Sequence, residues 1–179
     1  MTSILIKAKV DFSVICDQVL PGMQELMNDH AGRHKLSDFA MRYHHTSRIL
    51  KMGETRFRKD YCKWAEKKGY RNCERMAARI FATAQNGIPV LPNAPSTQSV
   101  ITEAIRVLHA VEASRDVISA QMQTLAKTLP EYSLVREMPC IGDTLAPRLI
   151  AEIGDVRRFH NKRALIAYAG IDASPYQSG

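Results

Sequence analysis

Between two prolines the chain reads Pro95-STQSV-ITEAIRVLHA-VEASRDVISA-QMQTLAKTL-Pro130, and this stretch decides the fold. Ile101, Ala104, Leu108, Val111, Arg115, Ile118, Met122, Leu125 and Leu129 follow one another in alternating steps of three and four. A seam of that kind, sustained over about four heptads, is a coiled-coil helix that starts near Ser96 and stops at Pro130. Arg115 is the one cation in it, and a cation in a seam is expected to pair with a carboxylate or to snorkel outward.

Such a helix needs a partner. Upstream, Ser3 to Leu20 carries two patterns: Ile4, Ile6, Ala8, Val10, Phe12 and Val14 alternate, whereas Leu5, Ala8, Phe12, Ile15 and Val19 step by three and four. No second strand is nearby to satisfy an isolated one, so the segment is read as a helix ended by Pro21-Gly22. It either packs antiparallel on the long helix or leaves that role to a second copy of the chain. The expected architecture is all-α: arms at 1–20 and 96–130 as a coiled-coil pair, a basic helical insertion and linker at 21–95, and a small helix-hairpin-helix-like domain at 131–179.

Within the insertion, Phe57, Tyr61, Trp64 and Ala65 share a helical face, with Arg58, Lys59, Lys63 and Lys67 elsewhere on that helix and Gly69 after it. Aromatic residues among basic ones can stack on bases, but such a face is more often the core of a small bundle, and that reading is preferred. Asn72 is placed to cap a following helix whose buried stripe is Cys73, Met76, Ala77, Ile80, Phe81 and Ala84. The proline-rich run 86–95 is a linker or surface loop.

Charge is concentrated in the same region. The net charge is +7, and residues 33–79 hold fourteen Lys and Arg against five Asp and Glu. An excess of this size suits a phosphate-binding surface and equally suits a solvated lysine-rich helix face. Cys16, Cys62, Cys73 and Cys140 are far apart, with no CxxC pair, and are read as free thiols in a reducing cytoplasm. No long apolar run signals a membrane span or a secretory leader. His30 and His34 are spaced i, i+4 with Gly32 between and no third ligand, so no metal site is assigned; His44-His45 is read as surface.

The last forty-nine residues open with a helix closed by Leu134 and Val135. Met138-Pro139-Cys140-Ile141-Gly142 follows as a turn, and then Leu145, Ala146, Leu149, Ile150 and Ile153 recur at helical spacing up to Gly154. This outlines a helix-hairpin-helix, in which backbone amides at Gly142 and the next helix N-terminus can hold a phosphate. Cys140 stands where such hairpins have their first glycine, and its Cβ restricts the dihedrals and the approach of a ligand. Arg157, Arg158, Lys162 and Arg163 form a compact cationic cluster beside the hairpin. A phosphate contact is preferred for them over helix capping or pairing with Glu152 and Asp155.

Glu152-Ile153-Gly154-Asp155, Arg158-Phe159, Tyr168-Ala169-Gly170 and Ser178-Gly179, in this order and spacing, resemble the C-terminal domain of IS110-family insertion-sequence transposases, relatives of the Piv invertase. Cys140 and Ala173 depart from the glycine and proline common there. Phe57-x3-Tyr61-x2-Trp64 and the linker before the long helix are similar, more weakly, to the helical insertion between that family's coiled-coil arms.

The resemblance implies a DNA transposase in which Ser178 is the nucleophile, DNA is the partner and a structured RNA serves as guide. Ser174 matches less well, lacking a following glycine. A serine hydroxyl needs activation to attack a phosphodiester, and the family supplies it with Mg²⁺ held by an acidic set in an N-terminal RuvC-like domain. Residues 1–32 offer only Asp11, Asp17, Glu25 and Asp29, so no cofactor is expected in this chain. The chain is then expected to be cut at both ends, to bind nucleic acid, to form a homo-oligomer through its coiled coil and to be inactive alone. The alternative is a stand-alone helix-hairpin-helix DNA-binding or coiled-coil assembly protein in which Ser178 is incidental.

Overall fold

The computed structural model describes residues 2–27, 34–70 and 73–170. Among them are ten α-helices, one 3-10 turn and no strand. The helices are α1 (Thr2–Val19), α2 (Met23–Met27), α3 (Lys35–Tyr43), α4 (Thr46–Met52), α5 (Glu54–Lys67), α6 (Cys73–Asn86), α7 (Pro95–Ala126), α8 (Glu131–Glu137), α9 (Leu145–Ile153) and α10 (Lys162–Tyr168). The ambiguous first segment is therefore helical, and the fold is all-α. Two compact units divide the chain within α7, one covering Met1–Arg115 and the other Asp116–Gly179.

In the first unit, α1 and the beginning of α7 run antiparallel. At one end the Gln18 carbonyl, near the close of α1, accepts from the Val90 and Leu91 amides just ahead of α7. At the other, Lys9 Nζ lies 3.9 Å from Glu112 Oε1. Leu5, Ala8, Phe12, Cys16 and Val19 are the buried side of α1, largely the expected stripe. On α7 the buried residues are Ile101, Ile105, Leu108 and Glu112, whereas Ala104, Val111 and Arg115 are half-buried. The steps are thus four, three, four. Eleven residues over three turns is close to the period of a straight α-helix, and the stripe drifts off a strict heptad. Glu112, not Arg115, is accordingly the charge placed inside. Farther along, Ile118, Leu125 and Leu129 are exposed and Met122 is half-buried, so the later part of the expected seam is uncovered.

The insertion folds around rings. Phe39, Tyr43, Phe57, Tyr61 and Trp64 are buried together, with Tyr43–Phe57 centroids 5.3 Å apart and Phe39–Tyr43 4.7 Å apart. Each such ring removes roughly 150–250 Å² from water, so these five dominate the unit's cohesion. The α5 aromatics are core, and stacking on bases is not their role. Gly53, at φ 73, breaks α4 from α5, and Gly69, at φ 76, follows α5. The α6 stripe packs on α5 as expected, with Cys73 half-buried; Asn72, its expected cap, lies outside the described residues.

In the second unit, α8 and α9 form the hairpin. Ile141 N donates to Met138 O at 3.2 Å, closing a β-turn with Pro139 and Cys140 at its centre. Cys140 sits at φ 67. A turn with proline second and a positive φ third is type II, whose third position favours glycine. The Arg136 guanidinium fastens this turn, bonding the Ile141 carbonyl and, through Nε at 2.8 Å, Asp143 Oδ1.

Candidate nucleic-acid interface

The cationic residues of α5 divide into two groups. Arg58 is engaged, its Nη1 3.7 Å from Glu54 and its Nη2 3.2 Å from Glu74. Lys59, Lys63 and Lys67 are exposed on the helix surface. The opposite edge of α5 carries Arg56, Asp60, Trp64 and Lys68, spaced four apart, which faces α3 and α4 across a cleft of about 790 Å³. Reading α5 by its lysines misses this edge. The i, i+4 row Arg56–Asp60–Trp64–Lys68 is the signal that could have found it.

Two ion pairs shape the cleft. Asp60 accepts from Arg42 Nη2 at 2.8 Å, Arg42 Nε at 3.2 Å and Tyr43 OH at 2.9 Å. Burial pushes the Asp60 carboxyl up, but the bonds from Arg42 and Tyr43 and the charges of Arg42 and Arg56 outweigh it, leaving the pKa below the usual carboxylate value. Burial, and then the bond to Asp60, push the Tyr43 hydroxyl upward, so it stays a donor. Asp38 accepts from Lys68 Nζ at 2.9 Å and Tyr70 OH at 3.1 Å.

His44 and His45 are not surface groups. His45 is buried, its Nε2 3.0 Å from Leu91 O and its Nδ1 3.1 Å from the Ser47 amide it caps, so it ties α4 to the linker. His44 is half-buried in the cleft wall at φ 54, and its enclosed Nδ1 has no hydrogen-bond partner. Burial, and then the charge of Arg48, hold its imidazole pKa below the ordinary value. His34 belongs to another group, with Nδ1 3.4 Å from Glu112 Oε2 and its ring 4.8 Å from that of His109. His30 lies outside the described residues. Among the described residues no three His, Cys, Asp or Glu side chains converge as a metal site.

In the second unit the hairpin has few backbone donors to spare. The Leu145 and Ala146 amides, first in α9, both donate to Gly142 O at 3.0 Å, and Pro147 has no N–H. Gly142 itself is exposed with open space about it. Side chains are the stronger phosphate candidates here. Arg157, Arg158, Lys162 and Arg163 are all exposed. Asp155 and Asn161 cap the two short helical turns that carry them, accepting from Arg157 N and Ala164 N at 2.9 Å. Arg158 is held between rings, its guanidinium carbon 4.7 Å from the Phe159 centroid and 4.6 Å from that of Tyr168. Ser174 and Ser178 lie outside the described residues. No helix of the described residues is long and apolar enough to cross a membrane.

Comparison with known proteins gives two matches. Residues 132–179 match the family described as Transposase IS116/IS110/IS902. A Streptomyces coelicolor protein, the insertion element IS110 uncharacterized 43.6 kDa protein, is 23% identical over 162 residues, covering 90% of this chain and 39% of the relative. The chain thus spans about two fifths of the length of that relative. No solved structure matches.

Proposed function

Through residues 132–179 the chain belongs to the IS116/IS110/IS902 family of transposases, and from that premise we propose that it engages DNA during transposition, with Ser178 as the attacking nucleophile. The family match carries this reading, because it takes in Ser178-Gly179 together with the exposed cations Arg157, Lys162 and Arg163. Those side chains and the cations of the first unit supply phosphate contacts, which position nucleic acid without reading its sequence. A structured guide RNA offers the same phosphates and is a second partner of these surfaces.

The family implies Mg²⁺ on an acidic set. No trio of His, Cys, Asp or Glu among the described residues fits such an ion, and no step is assigned to one. Residues 1–179 on their own then bind DNA without breaking it. Homo-oligomers are supported by apolar rows outside the core: Ile6, Val10 and Val14 on α1, and Val100, Val107 and Val117 on α7, are all exposed.

The test is incubation of the chain with supercoiled plasmid in Mg²⁺, read on native and denaturing gels. Retarded but intact plasmid is expected. A nick or a covalent adduct overturns inactivity of the isolated chain, and an adduct mapped to any residue but Ser178 also overturns the nucleophile assignment.

A further inference from the structure

We propose that the cleft between α3, α4 and α5 is a binding site for a nucleotide phosphate, with Arg48 and Arg56 as its anchoring cations. The ligand's identity rests on the nucleic-acid reading above; the site itself rests on the cleft. Four cationic side chains and two carboxylates line it. The carboxylates are spent internally, Asp60 on Arg42 and Asp38 on Lys68. That leaves Arg48 and Arg56, both exposed and outside ion-pair distance of a carboxylate among the described residues, although the Arg56 charge also acts on Asp60.

The inner pairs have a further consequence. Arg42 is engaged in a fork on Asp60, which leaves an incoming anion to Arg48 and Arg56, and the paired Asp60 repels that anion less. Two arginines then converge on a concave surface, where both can reach one phosphate, as they could not on a convex helix face. About 790 Å³ is room for a nucleotide. Where α3 ends, the wall is made by His44 in the left-handed region with an unsatisfied ring nitrogen, two costs tolerated at one point. Such costs cluster where the backbone is shaped for a ligand. By contrast Lys63 and Lys67 lie on the exposed surface and give delocalised attraction only, while Lys59 borders a smaller hollow that Glu54 and Glu74 also line.

The experiment is fluorescence anisotropy with a labelled single-stranded oligonucleotide, using the full chain, the R48A/R56A variant and the K59A/K63A/K67A variant. The far-ultraviolet circular dichroism and urea midpoint, unchanged in each, certify the fold. R48A/R56A should weaken binding by about tenfold per arginine and reduce the salt slope by about 0.7 for the phosphate lost. The triple-lysine variant should weaken it only a few-fold. Equal or smaller loss in R48A/R56A than in the lysine variant overturns the cleft while leaving nucleic-acid binding intact. Competition by polyglutamate as effective as by unlabelled oligonucleotide overturns it too, making the cleft a general anion trap. No binding of any oligonucleotide by the unaltered chain would instead overturn the nucleic-acid reading on which the ligand depends.

Discussion

Replacing Cys140 with glycine should stabilise the second unit. Cys140 is held at φ 67 by the turn between Met138 and Ile141, and its neighbours cannot relax it because Arg136 fastens the turn to Asp143 and the Ile141 carbonyl. A left-handed conformation costs an L-residue roughly 1–2 kcal/mol. Glycine removes that cost but loses about 0.5–1 kcal/mol more chain entropy on folding. Midpoint against midpoint, the balance is a gain of about 0.75 kcal/mol for C140G. C140A is the control: it keeps the Cβ and so the strain, and should be neutral. The sole tryptophan, Trp64, lies in the first unit and is blind to this change. Amide exchange of Ile141, Leu145 and Ala146 is the appropriate assay, and C140G should slow it by about two- to fivefold. Exchange unchanged in C140G, or slowed equally in C140A, would refute backbone strain at this turn.

Two further substitutions test the first unit. At Gly22, φ 75, an added Cβ would stand 2.9 Å from Thr83 Cγ2. G22A combines left-handed strain with overpacking, so urea unfolding followed at Trp64 should show a loss of about 2–4 kcal/mol. Asp60, whose folded pKa is depressed, contributes stability that is complete above its unfolded value of about 3.9 and is lost as pH falls through the folded value. D60N should therefore cost about 1 kcal/mol at pH 7, the side chain being partly exposed, and should flatten the acid limb of the stability profile below about pH 4.

Much of the helical layout is legible in the sequence because its punctuation is local. Pro21-Gly22, Gly53, Gly69, the 86–95 run and Gly154 each end or separate helices wherever tertiary packing places them. The phase of α7 is not legible in this way. Ala104 and Ile105 compete for one buried position, and the larger side chain and the straight-helix period decide it only once α1 is in place. Glu112 is hidden for the same reason.

The candidate binding surface is half visible in the sequence. Lysines at 59, 63 and 67 announce themselves by composition, whereas the cleft depends on Arg48 from α4 and Arg56 from α5 meeting across a bundle. His44 and His45, adjacent in sequence, do unlike things, since one caps α4 and bonds Leu91 while the other lines the cleft. The two helices and the turn between them are legible from Pro139, Gly142 and Gly154, whereas the partners of the first α9 amides are not. Pro147 and the Gly142 carbonyl together remove the first three backbone donors of α9.

The most direct measurement is the salt dependence of duplex DNA affinity for the full chain. Engagement of as few as three phosphates gives a log–log slope near −2.7, and so about a fortyfold loss of affinity between 50 and 200 mM salt. A slope at or below that value is the predicted result; affinity that is flat across the same range would contradict DNA engagement through these cations.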